Sequence, residues 1–264
     1  YTLSYKRSID RPRYADLNPF STFINDFNTN TGNPNLQPAF NNKFTLSWNH
    51  KNAWFINTYF LYAENLLSDV PFQNNATNEL NSQSINLNYE LQYSIDAATY
   101  QYVNSNWYTG ISTSLFYMEN ETRAVQSGGV DVVNSTTGFY LNSFNRFNLA
   151  DNRTLSMDVD VTYLSSILFG TYEWGDSLGV NMSFNKSLWN RRAQLSLAFT
   201  DIFRTQNQRM TTRYLNQDNY YLSLPETRTV SVGFTYNFGN FRLANKELST
   251  PEEQNRTTKK ELGL

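Results

Sequence analysis

Cysteine is absent from the chain, and histidine is nearly so, with His50 its single imidazole. The first absence removes any disulfide framework and leaves the redox compartment unreadable from thiols. Together they rule out zinc sites built on Cys or on paired His. No uninterrupted run approaches the roughly 18 apolar residues that a membrane helix needs, so a helical membrane protein is excluded. No basic block stands out and the formal net charge is −2, which gives no electrostatic case for nucleic acid. The opening YTLSYKRSID lacks the features of a signal peptide, so either that segment was removed or the chain is a piece of something longer.

What is present is unusual in its mixture. Aromatic residues make up 16% of the chain, yet all hydrophobic residues together make up only 39% and the mean hydropathy is −0.58. Rings at this density are the opposite of a disordered composition. Asparagine, at roughly one residue in seven, disfavours helix interiors and suits turns and wet surfaces.

The organisation is a repeat of pattern more than of sequence. Period-two alternation runs at about residues 1–8, 39–49, 53–65, 82–94, 105–118, 137–149, 153–165, 177–188, 192–204 and 227–239, which predicts ten strands. Most exceed the roughly five or six residues of a soluble strand and suit the 9–11 tilted residues that cross a bilayer. Short links (HKN at 50–52, ADN at 150–152, WNR at 189–191) take turns with long polar ones such as ENETRAVQSGGVDVVNST. Outer-membrane barrels have this asymmetry, with short periplasmic turns and long extracellular loops.

Tryptophan follows the same map: Trp48 and Trp54 flank HKN, Trp189 sits in WNR, and Trp107 starts its strand on the same side. These four are the candidate aromatic girdle at a membrane interface, where an amphipathic ring keeps one end apolar and one end wet. Alternation itself does not choose an architecture. In LSMDVDVTY, Leu155, Met157, Val159, Val161 and Tyr163 oppose Ser156, Asp158, Asp160 and Thr162. A soluble sandwich would turn the apolar set inward and a membrane barrel would turn it toward lipid. Strand length, girdle and loop asymmetry favour the barrel.

The segment RSIDRPRYADLNPF with GNPNLQP at 32–38, the stretch LGVNMSFNKSLWNRRAQLSLAFTDIFRTQ and the closing RTVSVGFTYNFGN together resemble the C-terminal barrel half of the TonB-dependent-receptor-like outer-membrane proteins typical of Bacteroidetes. The resemblance implies an all-β antiparallel transmembrane barrel in the bacterial outer membrane, about ten strands here out of 22, with a lumen plug and TonB coupling that this sequence does not contain. It also implies outer-membrane lipids and the barrel assembly machinery as partners, and TonB through an N-terminal region outside this chain. A surface lipoprotein or other envelope proteins are further partners to be considered. SVGFTYNF resembles the assembly signal of such proteins, with Ser231, Gly233, Tyr236 and Phe238 in its positions. Gly233 would let the partner backbone approach without a side chain in the way. Residues 1–239 are thus expected to form the barrel part and 240–264 a polar periplasmic tail.

Chemistry is scarce. His50 lies in a tight turn far from the long loops, so no catalytic triad is expected, and neither are a cofactor or a metal. Asp158 and Asp160 read as lumen residues pairing with basic residues on adjacent strands, with cation binding or acid/base work as the sharper alternative. Loop tyrosines Tyr214, Tyr220 and Tyr221 and the Asn-rich first loop suit binding of a sugar or peptide, or the packing of the loops themselves. The expected function is nutrient uptake (siderophore, oligosaccharide or peptide) by a receptor of which this is the C-terminal barrel part. The alternatives are a receptor-like scaffold in an envelope assembly, or a small self-contained barrel.

Overall fold

The computed structural model describes residues 1–51, 53–124 and 128–238, so the predicted tail at 240–264 lies outside the described residues. Along the chain the elements are β1 (Thr2–Asp10), α1 (Tyr14–Leu17), β2 (Ser21–Asn25), β3 (Asn28–Thr31), β4 (Ala39–His50), β5 (Trp54–Glu64) and β6 (Leu67–Asn74). Next come β7 (Glu79–Asn86), β8 (Tyr89–Asn104), β9 (Trp107–Ala124), β10 (Val130–Asn148), β11 (Leu155–Leu164) and β12 (Ile167–Phe169). The series ends with β13 (Tyr172–Trp174), β14 (Ser177–Leu188), β15 (Ala193–Thr200), β16 (Gln208–Tyr214), β17 (Gln217–Ser223) and β18 (Thr229–Tyr236).

Ten of these strands form one antiparallel sheet in the order β1-β4-β5-β8-β9-β10-β11-β14-β15-β18, each wall strand pairing with the next one along the chain. The wall is therefore a meander, with β1 and β18 as its two edges. The remaining strands form two four-stranded sheets, β2-β3-β7-β6 and β12-β13-β16-β17, built from the long connections.

The register fixes which side chains share a face. Directly paired residues point the same way, so Leu3 with Leu46, Trp48 with Ile56, Phe60 with Tyr93, Ile95 with Leu115, and Leu115 with Phe139 lie on one side. The same side continues through Leu141 with Tyr163, Val159 with Met182, Phe184 with Leu197, and Leu197 with Val232. This face is exposed: Ile95 is 60% and Leu115 59% accessible although both sit mid-sheet. In water such a continuous apolar surface would be an aggregation site; in lipid it is the surface that makes contact.

Among the described residues, the larger buried apolar side chains lie away from the wall. Leu36, Val70, Phe72, Leu87, Leu168 and Tyr214 belong to the long connections, whereas the apolar side chains buried in the wall are alanines such as Ala63 and Ala193. The water-soluble core thus sits at the long-loop end, where the two small sheets form a cap.

Three sequence expectations need correction. The run at 82–94 is not one strand: residues up to Asn86 belong to β7 in the cap, and the wall strand β8 begins at Tyr89 and runs on to Asn104. Leu87 and Asn88 carry the chain from one sheet to the other, with Leu87 fully buried and the Asn88 N–H bonded to the Glu121 carbonyl at 2.8 Å. The stretch 119–136, read as a loop, instead continues the β9–β10 hairpin up to the pair Ala124–Val130. Finally, β15 stops at Thr200, and Asp201–Arg204 form a turn.

Candidate functional site

At the short-turn end all four predicted girdle tryptophans gather on the apolar face. Trp48 stacks on His50 at 5.7 Å, and Trp54 is the partner of His50 across the β4–β5 turn. Trp107 stacks on Phe147 at 5.6 Å and donates its indole N–H to Asn145 at 3.1 Å. Trp189 packs edge-on against Phe234 and Tyr236 while its own backbone is held at φ 51°, in a run of positive φ through Asn190 and Arg191. A left-handed conformation in a bulky residue is strained, and here the ring contacts offset it.

A second belt, missed in the sequence, rims the opposite end of the apolar face. Tyr62 stacks on Tyr89 at 6.1 Å and Tyr93 on Tyr117 at 4.9 Å, and Glu119 accepts the hydroxyls of Tyr89 (2.8 Å) and Tyr117 (2.5 Å). The signal was present as Tyr spacing, but no tryptophan marked it.

Among the described residues, the closing strand β18 pairs with β15 alone. Ser231 and Gly233 lie on its polar face, Tyr236 on its apolar face, and Phe238, 86% exposed, follows just beyond with its ring 4.6 Å from Tyr236. What approaches Gly233 is the side chain of Ser196, since an added Cβ would lie 2.5 Å from the Ser196 Oγ.

The polar face of the wall is a hydrogen-bonded surface. Arg146 holds Asp158 with two bonds, 2.7 and 3.0 Å, directly across β10 and β11. Asn185 donates to Asp158 at 3.4 Å and accepts from Gln194 at 3.1 Å, extending the chain of contacts to β15. Asp160 accepts from Asn142 at 3.2 Å. Both aspartates therefore serve as cross-strand acceptors, and only Asp158 takes a basic partner.

Asp201, with no exposed surface, organises the turn at the cap end of β15. Its carboxylate accepts the N–H groups of Thr205 (3.0 Å) and Gln206 (3.3 Å) and the hydroxyl of Thr227 (2.5 Å). It is a structural acceptor, fully engaged.

Amide side chains knit the cap together. Gln217, 2% exposed, accepts the N–H of Gln73 at 2.6 Å and donates to its carbonyl at 3.2 Å, so one side chain acts as an extra strand residue between β17 and β6. Asn75 reaches the Asn216 carbonyl at 3.1 Å, Asn86 bridges Gln37 and Asn65, and buried Asn120 donates to the Gly170 carbonyl at 2.7 Å. The high asparagine content is used here, tying loops to one another. Burial pushes the Tyr214 phenol up to about 12, with the neighbouring Tyr172 adding to the shift. Tyr214 is packing, whereas Tyr220 and Tyr221 are exposed at 58% and 56%. Two open clefts mark the cap, one of about 550 Å³ between β10 and the β13–β16 pair, the other of about 620 Å³ beside Gln73, Asn75 and Asn216.

An antiparallel meander with an outward apolar face, short turns at one end and a folded cap at the other defines the wall of a transmembrane β-barrel. The chain belongs to the outer membrane protein beta-barrel family, whose model matches residues 1–236, and its place is the bacterial outer membrane. No curated protein matches it significantly. Among solved structures, a mutant of the ferric enterobactin receptor PfeA from Pseudomonas aeruginosa aligns with a TM-score of 0.51 at 13% identity, over 89% of this chain and 38% of that one. The ferric-catecholate import receptor Fiu from E. coli, in its open form, aligns with a TM-score of 0.34 at 10% identity, over 87% of this chain and 41% of that one. At such identities the likeness to PfeA concerns the fold, and this chain spans well under half the length of either receptor.

Proposed function

We propose that this chain is the C-terminal barrel part of an outer-membrane receptor of the TonB-dependent type, which takes up a nutrient of the siderophore, oligosaccharide or peptide class. The observation that carries the reading is the cap. Ordering long loops costs roughly 1–2 kcal/mol of backbone entropy per residue, and a wall that only passed solutes would not require loops folded into two clasped sheets. A cap built over a polar wall face suits ligand capture outside and passage within. The fold shared with PfeA supports the same reading.

Within it, Trp48, Trp54, Trp107 and Trp189 are the periplasmic girdle against outer-membrane lipids. Ser231, Gly233, Tyr236 and Phe238 are the signal read by the barrel assembly machinery. TonB would act through a region outside this chain, and a surface lipoprotein or other envelope protein would meet the cap. No catalytic, cofactor or metal role is assigned.

The test is deletion of the gene for the native protein, followed by growth on siderophore-bound iron, oligosaccharides and peptides each as sole source. Loss of growth on one class, restored by the intact gene, is expected. Unchanged growth on all three, with fixed envelope partners co-purifying in detergent, would favour the scaffold reading instead.

A further inference from the structure

We infer that the cleft between β10 and the β13–β16 pair binds a short zwitterionic peptide, which adds itself as a strand to the free edge of β10. The inference rests on the receptor reading above and narrows its substrate class.

The first observation is an unfilled strand edge. From Val130 to Phe139, β10 pairs with β9 on one side, while on its other side β11 joins only at Tyr140. Phe139 meets Ser165 there, its N–H donating to the Ser165 hydroxyl at 2.8 Å and its carbonyl accepting the Ser165 N–H at 2.9 Å. Because strand residues alternate in direction, the N–H and C=O of Val133, Ser135 and Thr137 point to that same open side. Among the described residues no strand is hydrogen-bonded there: β12 lies alongside but pairs with β13, its Leu168 lining the cleft together with Val133, Asn134 and Ser135. Edge addition by an extended peptide is a general mode of recognition, in which main-chain bonds give affinity and flanking side chains give specificity.

The second observation is the charge pattern on the facing wall. Arg209 and Arg213 lie on one face of β16 on either side of Thr211, and Thr211 pairs directly with Glu173 of β13, so the order across the cleft is positive, negative, positive. Each arginine is fixed from outside by one acid, Arg209 by Asp176 at 2.6 Å and Arg213 by Asp218 at 2.9 Å, which leaves other N–H donors of each guanidinium unspent. Among the described residues Glu173 has no ion-pair partner. Gly175 makes room for the Arg209 guanidinium, since a Cβ there would lie 2.6 Å from its Nε.

With the outer carboxylates counted, the cleft carries no excess of positive charge, which argues against a purely anionic ligand. It offers an acceptor for an ammonium beside donors for a carboxylate. Thr171, 5% exposed, also lines the cleft, and its hydroxyl has no hydrogen-bond partner. A buried polar group in that state is costly and favours a site that a polar ligand completes.

The test uses the native protein purified in detergent, titrated by calorimetry with a tripeptide of alanine, its N-acetylated form, its C-terminal amide and a galacturonic acid oligosaccharide. Binding of the free tripeptide is expected, weakened at least ten-fold by Glu173→Gln, with the N-acetylated peptide indifferent to that change. Ser135→Pro removes one donor on the open edge and leaves the backbone ladder to β9 in place, Ser135→Ala controlling for the lost hydroxyl contact to Tyr117, and is expected to weaken every peptide form that binds. Preference for the oligosaccharide, or peptide binding unmoved by both substitutions, overturns the inference. So does silence toward every peptide form from a protein whose deletion strain still shows an uptake defect, and that outcome leaves the receptor reading standing.

Discussion

Two residues hold positions where a substitution breaks specific neighbouring bonds. Gly233 faces Ser196, whose Oγ would sit 2.5 Å from any Cβ placed there, so Gly233→Val drives that hydroxyl off the Gly233 carbonyl it bonds at 3.3 Å and loosens the β15–β18 pairing. Because β15 is the only partner of β18 among the described residues, the expected result is several-fold less folded protein in the outer membrane, read as loss of the heat-sensitive band shift on a semi-native gel. Normal yield and shift would remove Gly233 from the proposed assembly signal. Asp201 is the second case. Asp201→Ala strands the two backbone donors and the hydroxyl that its carboxylate engages, at a cost of about 1–3 kcal/mol for each donor left buried and unpaired. Faster hydrogen exchange at Thr205 and Gln206 is expected, and unchanged protection there would show that the turn holds itself.

Elements differ in how far the sequence revealed them. Every wall strand was at least partly legible where one face meets lipid and the other water, because that environment imposes a period of two, although β8 was read only as far as Ser94 and its continuation to Asn104 was not. Above the bilayer the requirement lapses. Residues 119–136 keep pairing from Met118–Thr136 to Ala124–Val130 without an apolar face, so the stretch reads as a polar loop. Gly128 and Gly129, at φ 86° and 73°, were the one local sign of a tight turn there. The cap strands were invisible for a different reason: β3 pairs in parallel with β7 across about fifty residues, as Asn28 with Leu80, and local periodicity carries no record of such a partner. Of the candidate site, the tryptophan positions were legible, while the cleft, assembled from β10, β13 and β16, was not.

Cap stability gives two predictions at this scale. Gln217→Ala removes both bonds to the Gln73 backbone, and is expected to loosen the joint between the cap sheets, at a cost of about 1–3 kcal/mol, while the Asn75–Asn216 and Asp218–Gln73 bonds remain. Exchange should rise at Gln73 and Asp218 while the wall stays protected; a uniform rise would mean that cap and wall unfold together. Alkali should act on the same sheets. The Tyr214 phenol is raised to about 12 by burial, so its contribution is complete below pH ~10, the unperturbed value, and is lost as pH climbs toward the raised one. Cap protection falling between those limits in the wild type, and unchanged in Tyr214→Phe, is the expected pattern.

For the whole molecule, the distance between the two aromatic belts sets the membrane thickness it fits. Trp54 and Tyr62 lie on one face of β5, and eight residues at about 3.3 Å with a tilt near 40° give roughly 20 Å along the membrane normal, close to the apolar band of outer-membrane barrels. Four of the five tryptophans lie at the lower belt and Trp174 lies in the cap. In vesicles, bromine placed near the headgroups should therefore quench most of the emission, leaving a residual from Trp174. Stronger quenching by bromine at the acyl chain ends would contradict this placement.

The Gln73–Gln217 clasp joins residues 144 positions apart. Closing so long an interval must wait until the intervening hairpins exist, because nonlocal contacts come late when local ones can form first. The order of events follows: wall strands zip together neighbour by neighbour as the chain enters the membrane, and the cap locks afterward on the cell surface. Newly inserted molecules would thus have their wall in place before the cap is closed, and mild denaturant should reverse the sequence, opening the cap while the wall stays embedded.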